Sequence, residues 1–371
     1  MPQRPVSLEI YRTAIPMRKF EHAAGSRELA EAIVVRLERP DGAVGWGETL
    51  PRPYVTGETL ESVVQDIRQV LWPMVRAGHG LPWEAPQAGG PRRITAARCA
   101  VELALVDADA RAAGRRLCGP LPPVRVSGVI GSSDPARTAR TLRLLRLLGL
   151  RDFKLKLGLG DEVDRENLRI VHARLARGLR AGRLSLRVDI NGGWAADQTP
   201  ARVDELRPLG VCLVEQPVFC PAPELADLAR RCSLPLLADE SLVTPADAEA
   251  LAQAGPDRIA FNIRISKNGG LDLARRLAEL AQRHGITVVA GCMVGESGIL
   301  SAAQRCLLSS APPPRFVEGN YGRFLLADDL TRPSPRFGYG GRLAAMKGPG
   351  LGVTVDPRRL ARHGRLIDRL V

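Results

Sequence analysis

Five short apolar runs in the middle of the chain each close on charged or amide side chains. They are Phe153-Lys154-Leu155-Lys156, Arg187-Val188-Asp189-Ile190-Asn191, Leu213-Val214-Glu215-Gln216, Leu237-Ala238-Asp239-Glu240 and Phe261-Asn262-Ile263-Arg264. One such run means little, because polar residues commonly end strands; five in succession imply a shared destination. Residues two apart in a strand share a face, so Lys154 and Lys156 project together with Leu155 opposed. Repulsion between two close ammonium groups, with partial burial, lowers the pKa of one and makes it a usable general base. Asp189, Glu215 and Asp239 would repel one another strongly unless a cation lay between them. Oxygen ligands without His or Cys suit a hard ion, Mg²⁺ first and Mn²⁺ second. Asn191 and Glu240 then stand around the ligands as supporting groups.

These side chains need elements that bring them to one place. Eight short apolar runs, at 124–130, 152–157, 186–190, 212–215, 235–239, 258–263, 287–290 and 315–318, alternate with stretches of helical period. Asp189 to Glu215 spans 26 residues, Glu215 to Asp239 spans 24, and Asp239 to Arg264 spans 25. A strand–helix unit with short loops takes about that length, and strands buried on both faces read as short apolar runs. Eight units close into a parallel barrel whose C-terminal strand ends share one mouth. Residues 1–122 read differently, as an α+β domain. Alternating strands at 9–17 and 31–39 flank a short third at 44–49, and helices follow at 58–75 and 95–115. The expected division is a capping domain over 1–122, a catalytic barrel over 123–329, and a Pro-, Gly- and Arg-rich segment over 330–371 that packs back on the first domain.

At 45% hydrophobic and 25% charged residues the composition is that of an ordinary globular protein. No apolar run approaches the ~18–20 residues of a membrane-spanning helix, so no membrane partner is expected. The first nineteen residues carry prolines and charges without an apolar core, unlike a secretory signal. Seven cysteines without C-x-x-C spacing point to free thiols in a cytoplasmic location. The formal charge of +13 invites a nucleic-acid reading. However, lysine occurs only at 19, 154, 156, 267 and 347, so arginine supplies 48 of the 53 basic residues. Those arginines are spread through amphipathic stretches, and 4% aromatics leave little for base stacking. The charge reads as an Arg-rich solvated surface, with no nucleic-acid partner.

Lys-x-Lys, Asp-x-Asn, Glu-Gln-Pro, Ala-Asp-Glu-Ser and Ser-Lys-Asn-Gly-Gly, in this order and spacing, resemble the enolase superfamily. Within it the match is to the muconate-lactonizing-enzyme (muconate cycloisomerase) subgroup of the mandelate racemase/muconate lactonizing enzyme family. The resemblance runs over nearly the whole chain. Pro51-Arg52-Pro53-Tyr54-Val55-Thr56-Gly57-Glu58 resembles the family's specificity loop, and Gly348-Pro349-Gly350-Leu351-Gly352 its C-terminal return. It implies an α/β fold, a (β/α)7β modified TIM barrel beneath an α+β capping domain. It also implies Mg²⁺ on Asp189, Glu215 and Asp239, and Lys156 as the base that removes a proton α to a carboxylate beside a charge-stabilising Lys154. The resemblance, not the spacing, supplies this Lys-plus-Mg²⁺ assignment.

The sixth strand departs from the family pattern. Members usually carry a second lysine where this chain has Arg264, and Lys267 matches a later lysine in the following loop. Arginine has a pKa above ~12 and cannot readily exchange a proton, but its fork suits a carboxylate. Arg264 is therefore expected to bind or polarise substrate, and Lys267 could serve as base only with a shifted backbone. One lysine base suits syn elimination, dehydration or cycloisomerisation of a small carboxylic acid. The alternatives are an amino-acid or dipeptide racemase or epimerase, and a non-catalytic metal-binding or basic binding protein on the same barrel. Glu296 matches a family glutamate near the substrate carboxylate, one residue out of register. Glu318-Gly319-Asn320 stands where dipeptide epimerases carry Asp-x-Asp, which weakens a dipeptide assignment. Segments 17–25 and 50–57 are expected to form the lid, with Lys19 and Tyr54 as substrate contacts, and the family's habit implies a homo-oligomer.

Overall fold

The structure, a computed structural model, describes residues 4–22, 25–87 and 90–371; the side chains of 19–22, 25–27 and 323 are outside the description, and with them the expected contact Lys19. Strands Ser7–His22, Gly25–Glu38 and Val44–Thr49 form an antiparallel meander. A fourth strand, Gly364–Leu370, pairs antiparallel with the outer edge of the first. The long helix Thr95–Ala112 lies close against the third strand because that strand is glycine-rich at the contact. A Cβ on Gly45 would stand 2.0 Å from the Ala104 carbonyl oxygen, and one on Gly47 1.9 Å from that of Ala100. The helix expected over 58–75 is divided. It begins at Leu60 behind a Thr59/Ser62 capping box, widens into a π turn over Ile67–Leu71, and continues as Trp72–Ala77. Pro73 lacks the N–H that a continuous α ladder would use there.

All eight expected barrel strands are present, in sequence order around one parallel sheet: Gly128–Ile130, Asp152–Lys156, Ser185–Asp189, Val211–Glu215, Leu236–Ala238, Ile259–Ile263, Thr287–Ala290 and Phe316–Val317. A parallel bridge between Val126 and Val317, with the Ser127 N–H donating to the Val317 carbonyl at 2.7 Å, joins the first strand to the eighth. Helices run between successive strands, so the architecture is (β/α)7β. Alternation sorts the strand residues. Leu155, Val188, Val214 and Phe261 join the main core, whereas Leu213, Leu237, Ala260, Val289 and Phe316 form a separate apolar cluster. Further along the same inward-facing positions lie Lys154, Asp189, Glu215 and Asn262.

Buried carboxylates join the capping elements to the barrel. Glu48 accepts from the Ser297 and Leu300 N–H groups at 3.0 and 3.2 Å, and Glu102 from those of Leu271 and Asp272 at 3.0 and 3.1 Å. Each thereby caps the N-terminus of a barrel helix, Gly298–Ser310 and Leu271–Arg283 respectively. The 348–352 turn packs on the capping helix, with the Leu351 N–H on Asp107 at 2.8 Å. All seven cysteines are free, and among the described residues no helix is long and apolar enough to cross a membrane.

Candidate active site

Parallel register places the chemical side chains at one height. Lys154 faces Arg187 and Lys156 faces Asp189, and Asp189 in turn faces Glu215 on the fourth strand. Beyond the strand ends, Asn191 and Gln216 adopt left-handed backbone (φ 47° and 37°), a conformation few non-glycine residues take. The turns are held by polar contacts. The Asn191 N–H donates to Asp189 at 3.1 Å, and the Gln216 carboxamide oxygen accepts from the Asp239 and Ser241 N–H groups at 2.9 and 3.2 Å.

Each carboxylate is turned toward a cation. Lys156 Nζ donates to Asp189 Oδ2 at 2.6 Å and to Asn191 Oδ1 at 2.7 Å. Lys154 Nζ reaches Glu318 at 2.6 Å, Glu215 at 3.1 Å and Asp189 at 3.3 Å. Arg264 pairs with Asp239 and stands 3.4 Å from Glu215. Lys267 Nζ spends its donors on the Asp239 carbonyl (2.7 Å), Asp239 Oδ1 (2.9 Å) and the Asn262 carbonyl (2.7 Å).

Lys154 and Arg264 stay charged in this field. Burial works against the Lys154 ammonium, yet Glu215, Glu318 and Asp189 outweigh it and hold the pKa above the ordinary lysine value. Repulsion from its lysine neighbour is not the dominant influence on Lys154, contrary to the simplest reading of the Lys-x-Lys pair. Burial opposes Arg264 too, and Asp239 and Glu215 overcome it. Lys267 shifts the other way, because burial exceeds the pull of Asp239. Burial and the neighbouring Asp189 push Glu215 up to about 7, and burial and Asp239 push Glu240 up to about 8.

A cavity of about 360 Å³ opens above this cluster. Of the expected site residues, Lys154, Lys156 and Arg264 line it, as do Asn191, Glu240 and Glu296, and also Glu318, Asn320 and Tyr54. Asp189, Glu215, Asp239 and Lys267 lie beneath, each almost wholly buried. Glu296 accepts the Met293 N–H at 2.6 Å, and burial raises its pKa to about 8. Asn320 donates to Gln304 at 2.7 Å while its carbonyl oxygen has no partner among the described residues.

The donor set fits a hard divalent ion. Three carboxylates come from adjacent strand ends, one of them (Glu215) and the neighbouring Glu240 have raised pKa values, and Glu240 Oε2 is buried without a hydrogen-bond partner among the described residues. As they stand, no three His, Cys, Asp or Glu side chains among the described residues are grouped as a ready ligand set, since lysines and arginine occupy the faces between them.

Several participants escaped the reading of the sequence. Arg187 lies wholly inside the barrel, 3.2 Å from Glu318 and over the Phe316 ring, and so holds the carboxylate that holds Lys154. Its signal was available: it shares a strand face with Asp189. Gln216 was visible only as part of Glu-Gln-Pro. Arg137, which also lines the cavity, carried no motif, while Arg18 and Arg52 fell inside the expected lid segments 17–25 and 50–57 without being singled out.

Known proteins give the same picture. Residues 6–119 match the mandelate racemase/muconate lactonizing enzyme N-terminal domain, and residues 137–359 match the enolase C-terminal domain-like family. The chain is 34% identical to the L-Lys-D/L-Arg epimerase of Methylococcus capsulatus, over 91% of this chain and 94% of that one. It is 29% identical to muconate cycloisomerase 1-2 of Acinetobacter lwoffii, over 97% and 96% of the two chains. The crystal structure of the muconate lactonizing enzyme of Pseudomonas fluorescens, solved with muconolactone, superposes with a TM-score of 0.84 at 26% identity, covering 98% of this chain and 100% of that one. Barrel, strand-end chemistry and kinship agree, and the chain is an isomerase-type enzyme of the enolase superfamily, a member of the mandelate racemase/muconate lactonizing enzyme family.

Proposed function

We propose that the protein removes a proton α to the carboxylate of a small acid with Lys156 as its only lysine base, and that the enediolate goes on by cycloisomerisation or elimination. The observation that carries this reading is the asymmetry of the basic groups. Lys156 opens onto the cavity, whereas Arg264 is permanently charged and clamped to Asp239, and Lys267 is enclosed with three acceptors. Membership of the superfamily generally implies a divalent metal, usually Mg²⁺. Held by Asp189, Glu215 and Asp239, with Asn191 and Glu240 around them, it would supply positive charge to the two enediolate oxygens. Lys154, fixed by Glu318 and Glu215, adds a second cation beside the reacting carbon. Asn191 orients the Lys156 amine, which takes the proton. Arg264, at the cavity wall, suits the substrate carboxylate.

Incubation of a chiral substrate acid in D₂O tests the assignment. A single base exchanges the α-proton with retention, and Lys156→Ala should lower that exchange by about 10²–10⁴-fold without changing the circular dichroism spectrum. Exchange with inversion would overturn the one-base reading. It would favour epimerisation, the second reading, which the printed activity of the 34% identical relative supports.

A further inference from the structure

The helix Pro135–Leu147, which follows the first barrel strand, differs in charge from its exposed counterparts around the barrel. It carries an arginine at every third position from 137 to 146 and no carboxylate. The helices Asp161–Arg180, Thr199–Leu206, Ala222–Arg230, Pro245–Ala252 and Leu271–Arg283 each contain Asp or Glu. Gly298–Ser310 contains neither, but it is buried along almost its whole length. An Arg-rich composition accounts for the arginines of Pro135–Leu147 and not for the missing carboxylates.

Arg140, Arg143, Leu144 and Leu147 fall at i, i+3, i+4 and i+7, so they share one face of that helix. The face is uncovered, with Leu144 51% and Leu147 69% exposed. Tyr339, 73% exposed, stands at the end of the same helix, where a Cβ on Gly149 would come within 2.8 Å of its ring. The Gly340 N–H donates to the Leu148 carbonyl at 2.8 Å and holds the tyrosine's segment in place. A groove of about 340 Å³ borders the helix Asp161–Arg180, with Ala139, Leu142 and Leu147 as its apolar lining. The rest of the lining is Arg143, Arg146 and Arg174. Arg143 has no hydrogen-bond or ion-pair partner among the described residues. Arg146 and Arg174 donate to the carbonyls of Leu150 and Ile170, both at 3.2 Å, and neither meets a carboxylate among the described residues. Three cations therefore rim one apolar groove unopposed.

A second copy of the chain is a poor occupant. A two-fold contact would set these arginines against themselves, on a molecule of formal charge +13. Charge complementarity selects an acidic partner, and the exposed leucines beside a fixed tyrosine select one that also offers apolar side chains. We infer that this face docks an acidic segment of another protein, which seats an apolar side chain in the groove and pairs its carboxylates with Arg143, Arg146 and Arg174. Docking here does not depend on which reaction the barrel mouth performs.

The probe is a fluorescein-labelled peptide of three Glu-Glu-Leu-Leu repeats, followed by fluorescence anisotropy at about 0.15 M salt, where distant charges are screened. Arg143→Glu and Leu147→Asp, both at exposed positions, should each weaken binding by about tenfold or more while keeping the wild-type circular dichroism spectrum. Arg283→Glu, an equal charge reversal at the end of another exposed helix, should leave binding within about twofold of wild type. An equal loss in Arg283→Glu would make binding a property of net charge and overturn the docking face. Undiminished binding in Leu147→Asp would overturn it too, because the groove would then be idle. Cosedimentation with phosphatidylserine vesicles, lost in Arg143→Glu while the peptide fails to bind, would assign the face to a membrane instead of a protein. A concentration-dependent dimer that Leu147→Asp dissolves would overturn the acidic partner in favour of a second copy.

Discussion

Arg264 and Lys156 border the same cavity, but only the lysine is a side chain type that general-base chemistry uses. Replacing the arginine by lysine puts a titratable amine at the end of the sixth strand. Arg264→Lys should make a chiral substrate lose configuration in D₂O, at a total exchange rate roughly tenfold below wild type because an ammonium offers no guanidinium fork to the substrate carboxylate. Chiral chromatography of the recovered acid reads the outcome, and full retention would show that position alone does not make a second base. The order of Lys-x-Lys, Asp, Glu, Asp and Arg was legible in the chain because identity and strand phase suffice to place them. The electrostatic state of Lys154 was not. It is set chiefly by Glu215 and by Glu318, which lies 164 residues away in sequence and meets it only through barrel closure. Arg137 was opaque for a related reason, since the helix that carries it reaches the cavity only in the closed barrel.

At the scale of elements, all eight barrel strands lie within the apolar runs or within a residue of them, because strands covered on both faces leave unbroken hydrophobic signatures. Among the longer elements, the first two capping strands run on to His22 and begin at Gly25, beyond the expected 9–17 and 31–39, and in the 58–75 helix Pro73 was in plain sight while the π turn ahead of it was not anticipated. Contacts between elements were also silent in the sequence, Glu48 foremost. Burial drives its pKa up to about 7, against the hydrogen bonds from Ser297 and Leu300 that favour the ionised form. The folded protein therefore holds this proton to higher pH than the unfolded chain, whose glutamate titrates near 4.5. Stability from this group is present below pH 4.5 and is lost as pH rises through about 7, by an amount on the order of 3 kcal/mol. Chemical denaturation of Glu48→Gln should show a flatter decline across that window than wild type. An unchanged slope would mean that Glu48 is ionised throughout.

For the whole molecule, the proposed ligand set predicts a link between stability and divalent ions. Five cationic side chains, Lys154, Lys156, Arg187, Arg264 and Lys267, hold five acidic ones, Asp189, Glu215, Asp239, Glu240 and Glu318, or stand among them. An ion that binds only the folded form stabilises it by about 2.7 kcal/mol at a hundredfold excess over its Kd. Differential scanning fluorimetry should show Tm rising with Mg²⁺, falling back on chelation, and insensitive to Mg²⁺ in Asp239→Asn. A wild-type Tm indifferent to Mg²⁺ would argue against the ligand set. One feature of the architecture also bears on how the molecule is made. The capping sheet takes its fourth strand, Gly364–Leu370, from beyond the barrel, about 315 residues after Thr49. At about 5–20 residues per second, a ribosome needs roughly 15–60 s to cover that interval. Throughout it, the outer edge of Ser7–His22 has no strand to pair with, so the nascent chain carries an open β edge while the barrel assembles. Chaperone engagement should concentrate on that edge and end once residue 370 has emerged.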